Sequence, residues 1–166
     1  TIGVMMDNER THLIPELVDS VFGKYKVGSI LNVIGNASPS KEVYAEVIRE
    51  LQEKSMELIG IPCLYGLDQI HGASYIDGAT FFPQEINQAA TFDRNFAFEA
   101  GRVCAYETRA AMVPWTFAPV MDLGRNPLWP RMWESYGEDT YLNAEMGKAS
   151  VAGLQGDCPS DVDSLH

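Results

Sequence analysis

Short apolar runs alternate with longer helical stretches along this chain, and its polar, Gly- and Pro-rich loops fall after the apolar runs, at residues 68–83 and 122–136. The joins that follow the helical stretches are short, Gly60-Ile61-Pro62 and Val113-Pro114. Strand, loop and helix repeated in one direction is the pattern of parallel βαβ units. Long loops on the strand side and short turns on the helix side further suit a (β/α)₈ barrel, where the loops after the strands build the working face. Such a barrel needs ~250 residues, and a chain of 166 residues has room for only part of one. The fold expected is therefore α/β, the N-terminal portion of a (β/α)₈ TIM-like barrel, incomplete over residues 1–166. A smaller open α/β sheet is the other possibility.

The elements follow from pattern and punctuation. Residues 28–33 read as a buried strand, followed by a Gly-, Asn- and Ser-rich turn. Ser38 and Pro39 are the expected N-cap and first-turn residues of a helix that carries Val43, Val47, Ile48, Leu51 and Leu58 on one face and ends near Gly60. Residues 63–67 form the second expected strand. A helix is predicted over about 93–112, with Ala100, Val103, Cys104, Ala110 and Ala111 as its small apolar face. A third strand is predicted over 115–120 and a last helix over about 138–154.

Composition removes several classes of function. With 12 Lys+Arg against 23 Asp+Glu the formal net charge is −11, and no basic surplus exists to release counterions from a nucleic-acid backbone. The chain has no apolar run of membrane-spanning length, so no membrane insertion is expected. Cys63, Cys104 and Cys158 are isolated and odd in number, which argues for free thiols. His12, His71 and His166 lack zinc-site spacing, and no metal or cofactor is expected. Nucleotide-binding glycine loops and a GxSxG nucleophile elbow are absent. Asn36-Ala37-Ser38 is a short match to a glycosylation sequon.

Two loops hold the candidate chemistry. Asp68 directly follows the second strand, where a carboxylate either contacts substrate or accepts backbone N–H bonds in its own loop. His71, in the same loop, reads as a packing or hydrogen-bonding residue. The stretch Gly124-Arg125-Asn126-Pro127-Leu128-Trp129-Pro130-Arg131-Met132-Trp133-Glu134-Ser135-Tyr136-Gly137-Glu138-Asp139 mixes two arginines, three acids and aromatics. Arginine forks and carboxylates suit the hydroxyls of a sugar and aromatic faces suit its C–H surface, although Arg–Glu pairs could equally just hold the loop. Glu138 and Asp139 read as a helix start, acids favoured by the helix dipole.

These loops together resemble glycoside hydrolase family 3, the β-glucosidase and β-xylosidase type. The resembling residues are Gly60-Ile61-Pro62 leading into Tyr65-Gly66-Leu67-Asp68-Gln69-Ile70-His71-Gly72, then Gly78-Ala79-Thr80-Phe81-Phe82-Pro83. Phe117-Ala118-Pro119-Val120-Met121-Asp122, Arg125-Asn126-Pro127, Trp129-Pro130-Arg131 and Glu134-Ser135-Tyr136-Gly137-Glu138-Asp139 follow, and Gly153-Leu154-Gln155-Gly156 closes the collinear run. The resemblance implies a barrel followed by further domains, and retaining hydrolysis of nonreducing terminal β-D-glycosyl residues, most of all glucosyl. It implies that Asp68 and Arg131 bind the nonreducing-end sugar, with Glu134 and His71 supporting them from behind. Pro130 stands where the family commonly has Gly.

No catalytic residue of the family falls in this segment: its nucleophile, acid/base and Lys-His sugar-binding pair are expected downstream. The implied partners are a β-linked oligosaccharide or glycoside and the remainder of the protein's own chain. A periplasmic or extracellular location is implied by the same resemblance. Two other readings fit the residues: a noncatalytic carbohydrate-binding or scaffold half-barrel, and an unrelated barrel enzyme with Asp68 and Asp122 as metal ligands.

Overall fold

The computed structural model describes residues 2–7, 12–35 and 38–156. Asn36, Cys158 and His166 lie outside the described residues. The elements in chain order are α1 (Pro15–Asp19, continued by a π-helical turn over Ser20–Lys24), β1 (Ser29–Leu31), α2 (Lys41–Leu58), β2 (Leu64–Leu67), α3 (Glu85–Ala89), α4 (Arg94–Ala110), β3 (Trp115–Thr116) and α5 (Thr140–Gln155). The chain divides into two compact units, Thr1–Gln69 with Ala73–Ala79 and Glu107–Ala118, and Ile70–Gly72 with Thr80–Tyr106 and Pro119–His166.

The first unit is built on a parallel sheet in the order β1-β2-β3. Ile30 pairs with Tyr65, and Ile30, Tyr65 and Leu67 are buried on one face. Fully burying side chains of this size contributes ~1.5–3 kcal/mol each. The other face is open: Leu31, Leu64 and Trp115 are 40%, 55% and 41% exposed. Between them lies Gly66, where a Cβ would come within 2.7 Å of the Phe117 ring and 2.9 Å of the Trp115 ring. Those two rings meet edge to face at 4.7 Å, so the close approach is available only to glycine. Parallel sheets are ordinarily covered on both faces, and the sequence already implied a sheet that is only partly closed.

The strands are shorter than the apolar runs suggest, for local reasons. Asn32 takes φ +91 and turns β1 aside. Pro119 has no N–H to continue a ladder, so after Phe117 N–H bonds Leu67 carbonyl at 3.1 Å the third run leaves the sheet.

Helix α2 starts later than expected. Its N-cap is Ser40, whose hydroxyl accepts the Val43 N–H, while Ser38 hydroxyl donates to the Ser74 carbonyl at 3.3 Å. Asp77 N–H bonds the Pro39 carbonyl at 2.9 Å, which holds Pro39 outside the helix. Tyr44, Val47, Ile48, Leu51 and Ser55 form the buried face, spaced as an amphipathic helix requires. Gln52 then bonds both backbone groups of Cys63, at 2.5 and 2.9 Å, fixing where β2 begins. Burial pushes the Cys63 thiol up to about 11, and Cys63 and Cys104 are both buried and free.

In the second unit Ala89, Ala97, Tyr136 and Met146 form a small core. Helices α4 and α5 touch backbone to backbone: a Cβ on Gly153 would lie 2.1 Å from the Phe98 carbonyl, and one on Gly101 2.5 Å from that of Ser150. Arg94 and Glu145 clamp the same pair of helices at 2.6 Å. The buried positions of α4 and the turn after it are Ala97, Ala100, Gly101, Cys104, Thr108 and Ala111. Ala110, expected on that face, is exposed, because one residue of helix is a 100° rotation from Ala111's side. Asp139 caps α5, its carboxylate accepting the Leu142 N–H at 2.7 Å, as expected of an acid at that boundary. Helices α1 and α3 are additions to the sequence reading.

Candidate functional site

Asp68 belongs to the first unit. Leu67 before it and Gln69 after it are buried, and strand alternation then turns the Asp68 side chain outward, in line with Leu64 and Gly66 on the open face. Thr108 hydroxyl donates to the buried Gln69 Oε1 at 3.0 Å, which anchors the chain just beyond Asp68. Among the described residues no hydrogen bond or ion pair engages the Asp68 carboxylate. Of its two sequence readings, the loop-holding one therefore has no contact behind it.

Arg131 belongs to the second unit and is held differently. Two consecutive turns carry the chain to it, closed by Trp129 N–H on the Asn126 carbonyl at 2.9 Å and Met132 N–H on the Trp129 carbonyl at 3.2 Å. Pro127 and Pro130 occupy the second position of each turn, where proline's fixed φ is favourable. Pro130 thus suits its place: no turn bond needs the N–H it lacks. A 3₁₀ turn follows over Met132–Glu134. Glu134 Oε2 accepts from Arg131 Nε at 2.7 Å and lies 2.5 Å from Nη2. The Arg131 side chain is 51% exposed and that of Glu134 15%, so the more buried acid braces the fork along its Nε and Nη2 side. Glu134, read from the resemblance as the support of Arg131, is thus in direct contact with it.

The loop is framed from below. Val120 and Ser135 form a parallel β-bridge. Ser135 hydroxyl donates to the Met132 carbonyl at 2.9 Å and accepts the Gly137 N–H at 3.3 Å. Gly124 N–H bonds the Gly137 carbonyl at 3.0 Å, and Asn143 reaches the Asp122 carbonyl at 3.1 Å.

Glu85, at the start of α3, is the residue that sequence reasoning missed. Its Oε1 accepts the Val120 N–H at 3.1 Å, and Oε2 is buried without a partner among the described residues. Only 2% of the residue is exposed. Burial pushes its carboxyl up to about 8, opposed by the Val120 bond and assisted by the nearby Glu134 carboxylate. Tyr136 is also shifted upward, first by burial and then by Glu85.

His71 packs its ring edge to face on Phe81 at 4.4 Å, and its carbonyl accepts the Phe82 N–H at 2.9 Å. Asp122 is exposed and falls in the other unit from Asp68. Among the described residues no group of three or more His, Cys, Asp or Glu could hold a metal ion, so the metal-enzyme reading gains no support. No helix among the described residues is long and apolar enough to cross a membrane.

Residues 8–164 match the Glycosyl hydrolase family 3 N terminal domain, and the chain belongs to that family. A lysosomal β-glucosidase of Dictyostelium discoideum is 40% identical over 141 residues, 80% of this chain and 17% of that protein. A periplasmic β-glucosidase of Salmonella typhimurium is 34% identical over 138 residues, 82% of this chain and 16% of that one. The crystal structure of an exo-1,3/1,4-β-glucanase from a Pseudoalteromonas species superposes with a TM-score of 0.77 at 32% identity, covering 85% of this chain and 19% of that chain. The α/β fold is accordingly that of the N-terminal portion of a TIM-type barrel. The chain spans about a sixth of the length of these curated relatives.

Proposed function

We propose that the whole enzyme hydrolyses nonreducing terminal β-D-glucosyl residues of a β-glycoside with retention, and that this segment supplies contacts to the departing sugar. The observation that carries the reading is Asp68, an exposed carboxylate at the end of a parallel strand with no protein partner among the described residues. A carboxylate accepts from sugar hydroxyls and a guanidinium donates to their oxygens; Asp68 takes the first role and Arg131 the second. Glu134 keeps Arg131 aimed, and His71 packs on Phe81 within the loop that follows Asp68.

Retaining hydrolysis needs two carboxyl groups on either side of the bond, one attacking the anomeric carbon and one giving a proton to the leaving oxygen and then taking one from the water that releases the sugar. In this reading both come from elsewhere in the enzyme. Hydrogen bonds to ring hydroxyls strengthen as the oxocarbenium-like transition state forms, so the glycon contacts act on kcat as well as on binding. The remainder of the chain is the partner that covers Leu31, Leu64 and Trp115, and the enzyme works in the periplasm or outside the cell. The test is Asp68→Ala in the whole enzyme on an aryl β-glucoside: kcat/KM falls more than about tenfold, and unchanged kinetics would overturn the assignment.

A further inference from the structure

We propose that Glu85 is a positioning residue for the Arg131–Glu134 pair, acting through Val120 and Ser135. The inference rests on the reading of Arg131 as a glycon contact. Among the described residues Glu85 is the only acid less than a tenth exposed, and its placement has a geometric reason. Pro119 interrupts the strand, so the Val120 N–H must find an acceptor outside a ladder, and a buried N–H left without one is costly. Glu85 Oε1 supplies that acceptor at 3.1 Å. Val120 in turn bridges Ser135, and Ser135 ties down the 3₁₀ turn through the Met132 carbonyl at 2.9 Å. Glu134 precedes Ser135 in the chain and carries the oxygen that holds Arg131. A shift of Val120 is therefore passed to the guanidinium through one bridge and one turn.

The charge state of Glu85 matters to the same pair. The titratable groups that face it are Glu134, from the 3₁₀ turn, and Tyr136. The buried residues of α5, which packs on α3, are Asn143, Met146, Gly147, Ser150 and Gly153, none of them charged. In neutral form Glu85 bonds Val120 without a second negative charge beside Glu134. Once ionised, it repels Glu134 and strains the arrangement it otherwise holds. The sign for stability is that of an acid raised by folding: its contribution is complete below the ordinary value of 4.5 and is lost as pH rises through about 8.

The experiment is steady-state kinetics of the whole enzyme on an aryl β-glucoside across about pH 5–9, with thermal unfolding alongside, for Glu85→Gln, Glu85→Leu, Arg131→Ala and Glu85→Leu/Arg131→Ala. Gln keeps the acceptor and cannot ionise: at about pH 6 its KM stays within about twofold of the parent, while the parent's rise in KM above about pH 7 disappears, as does its loss of stability between about pH 4.5 and 8. Leu removes the acceptor and raises KM about tenfold with a smaller effect on kcat, and adds less than about twofold once Arg131 is Ala. Additive losses in the double variant, an unchanged KM in Glu85→Leu, or a persisting alkaline rise in Glu85→Gln each overturn the proposal. The Gln variant decides the matter if the Leu variant does not fold. An unchanged KM in Arg131→Ala alone overturns the glycon reading instead. In that event a crystal structure of Glu85→Leu with the Arg131–Glu134 contact intact overturns the positioning role.

Discussion

Asp68 and Arg131, the two proposed glycon contacts, are held by two different constructions. Asp68 is placed by backbone alone: a buried strand before it, a buried glutamine after it, and no side-chain bond of its own among the described residues. Arg131 is placed by side chains, with Glu134 against its fork and a frame of Val120, Ser135 and Glu85 beneath. The first design leaves the charge unspent for a ligand. The second shares it, and so makes the placement of Arg131 depend on Glu134 and on the frame behind it.

The largest expected effect comes from removing what the backbone placement of Asp68 leans on. Leu67→Ala empties a fully buried position of β2 and is expected to cost about 2–5 kcal/mol in denaturant unfolding, with activity falling alongside; unchanged activity in the folded, destabilised variant would mean that β2 does not aim Asp68. Glu134→Gln tests the shared charge. Because Arg131 is half exposed, the pair should contribute less than ~1 kcal/mol to stability, yet kcat/KM should fall about tenfold; an equal loss in both would dissolve the contrast. The smallest effect is for Asp139→Ala, which removes the cap of α5 for ~1 kcal/mol and should leave KM where it was.

What the sequence disclosed divides along the same line. Backbone-built features were legible: the helical spacing of Val47, Ile48 and Leu51 and the strand-end position of Asp68 follow from period and punctuation, while Tyr44 and Ser55 join that buried face as hydroxyl-bearing residues no apolar pattern marks. Features built from side chains meeting across the chain were not. Helix α3 is five residues long and buries Glu85 and Gln88 beside Ala89, so no apolar period announces it. Nothing local distinguishes Glu85 from a solvated acid, because its partner Val120 is 35 positions away. Ser38 and Ser40 flank the same proline, and a bond from Asp77, far along the chain, decides between them. The Arg131–Glu134 spacing is the exception, since three residues apart in a single turn makes a side-chain pair readable in sequence.

The paired turns of Pro127 and Pro130 carry a thermodynamic consequence. Proline narrows the backbone states available to the loop before any ligand arrives, so ordering Arg131 is largely settled during folding and little of it is left to the moment of association. On the proposed reading of Arg131, calorimetry of sugar binding by the whole enzyme should then show a small conformational-entropy penalty from this loop, and replacing both prolines by alanine should weaken binding mainly through a less favourable entropy, with the enthalpy of the proposed Arg131 contact nearly preserved.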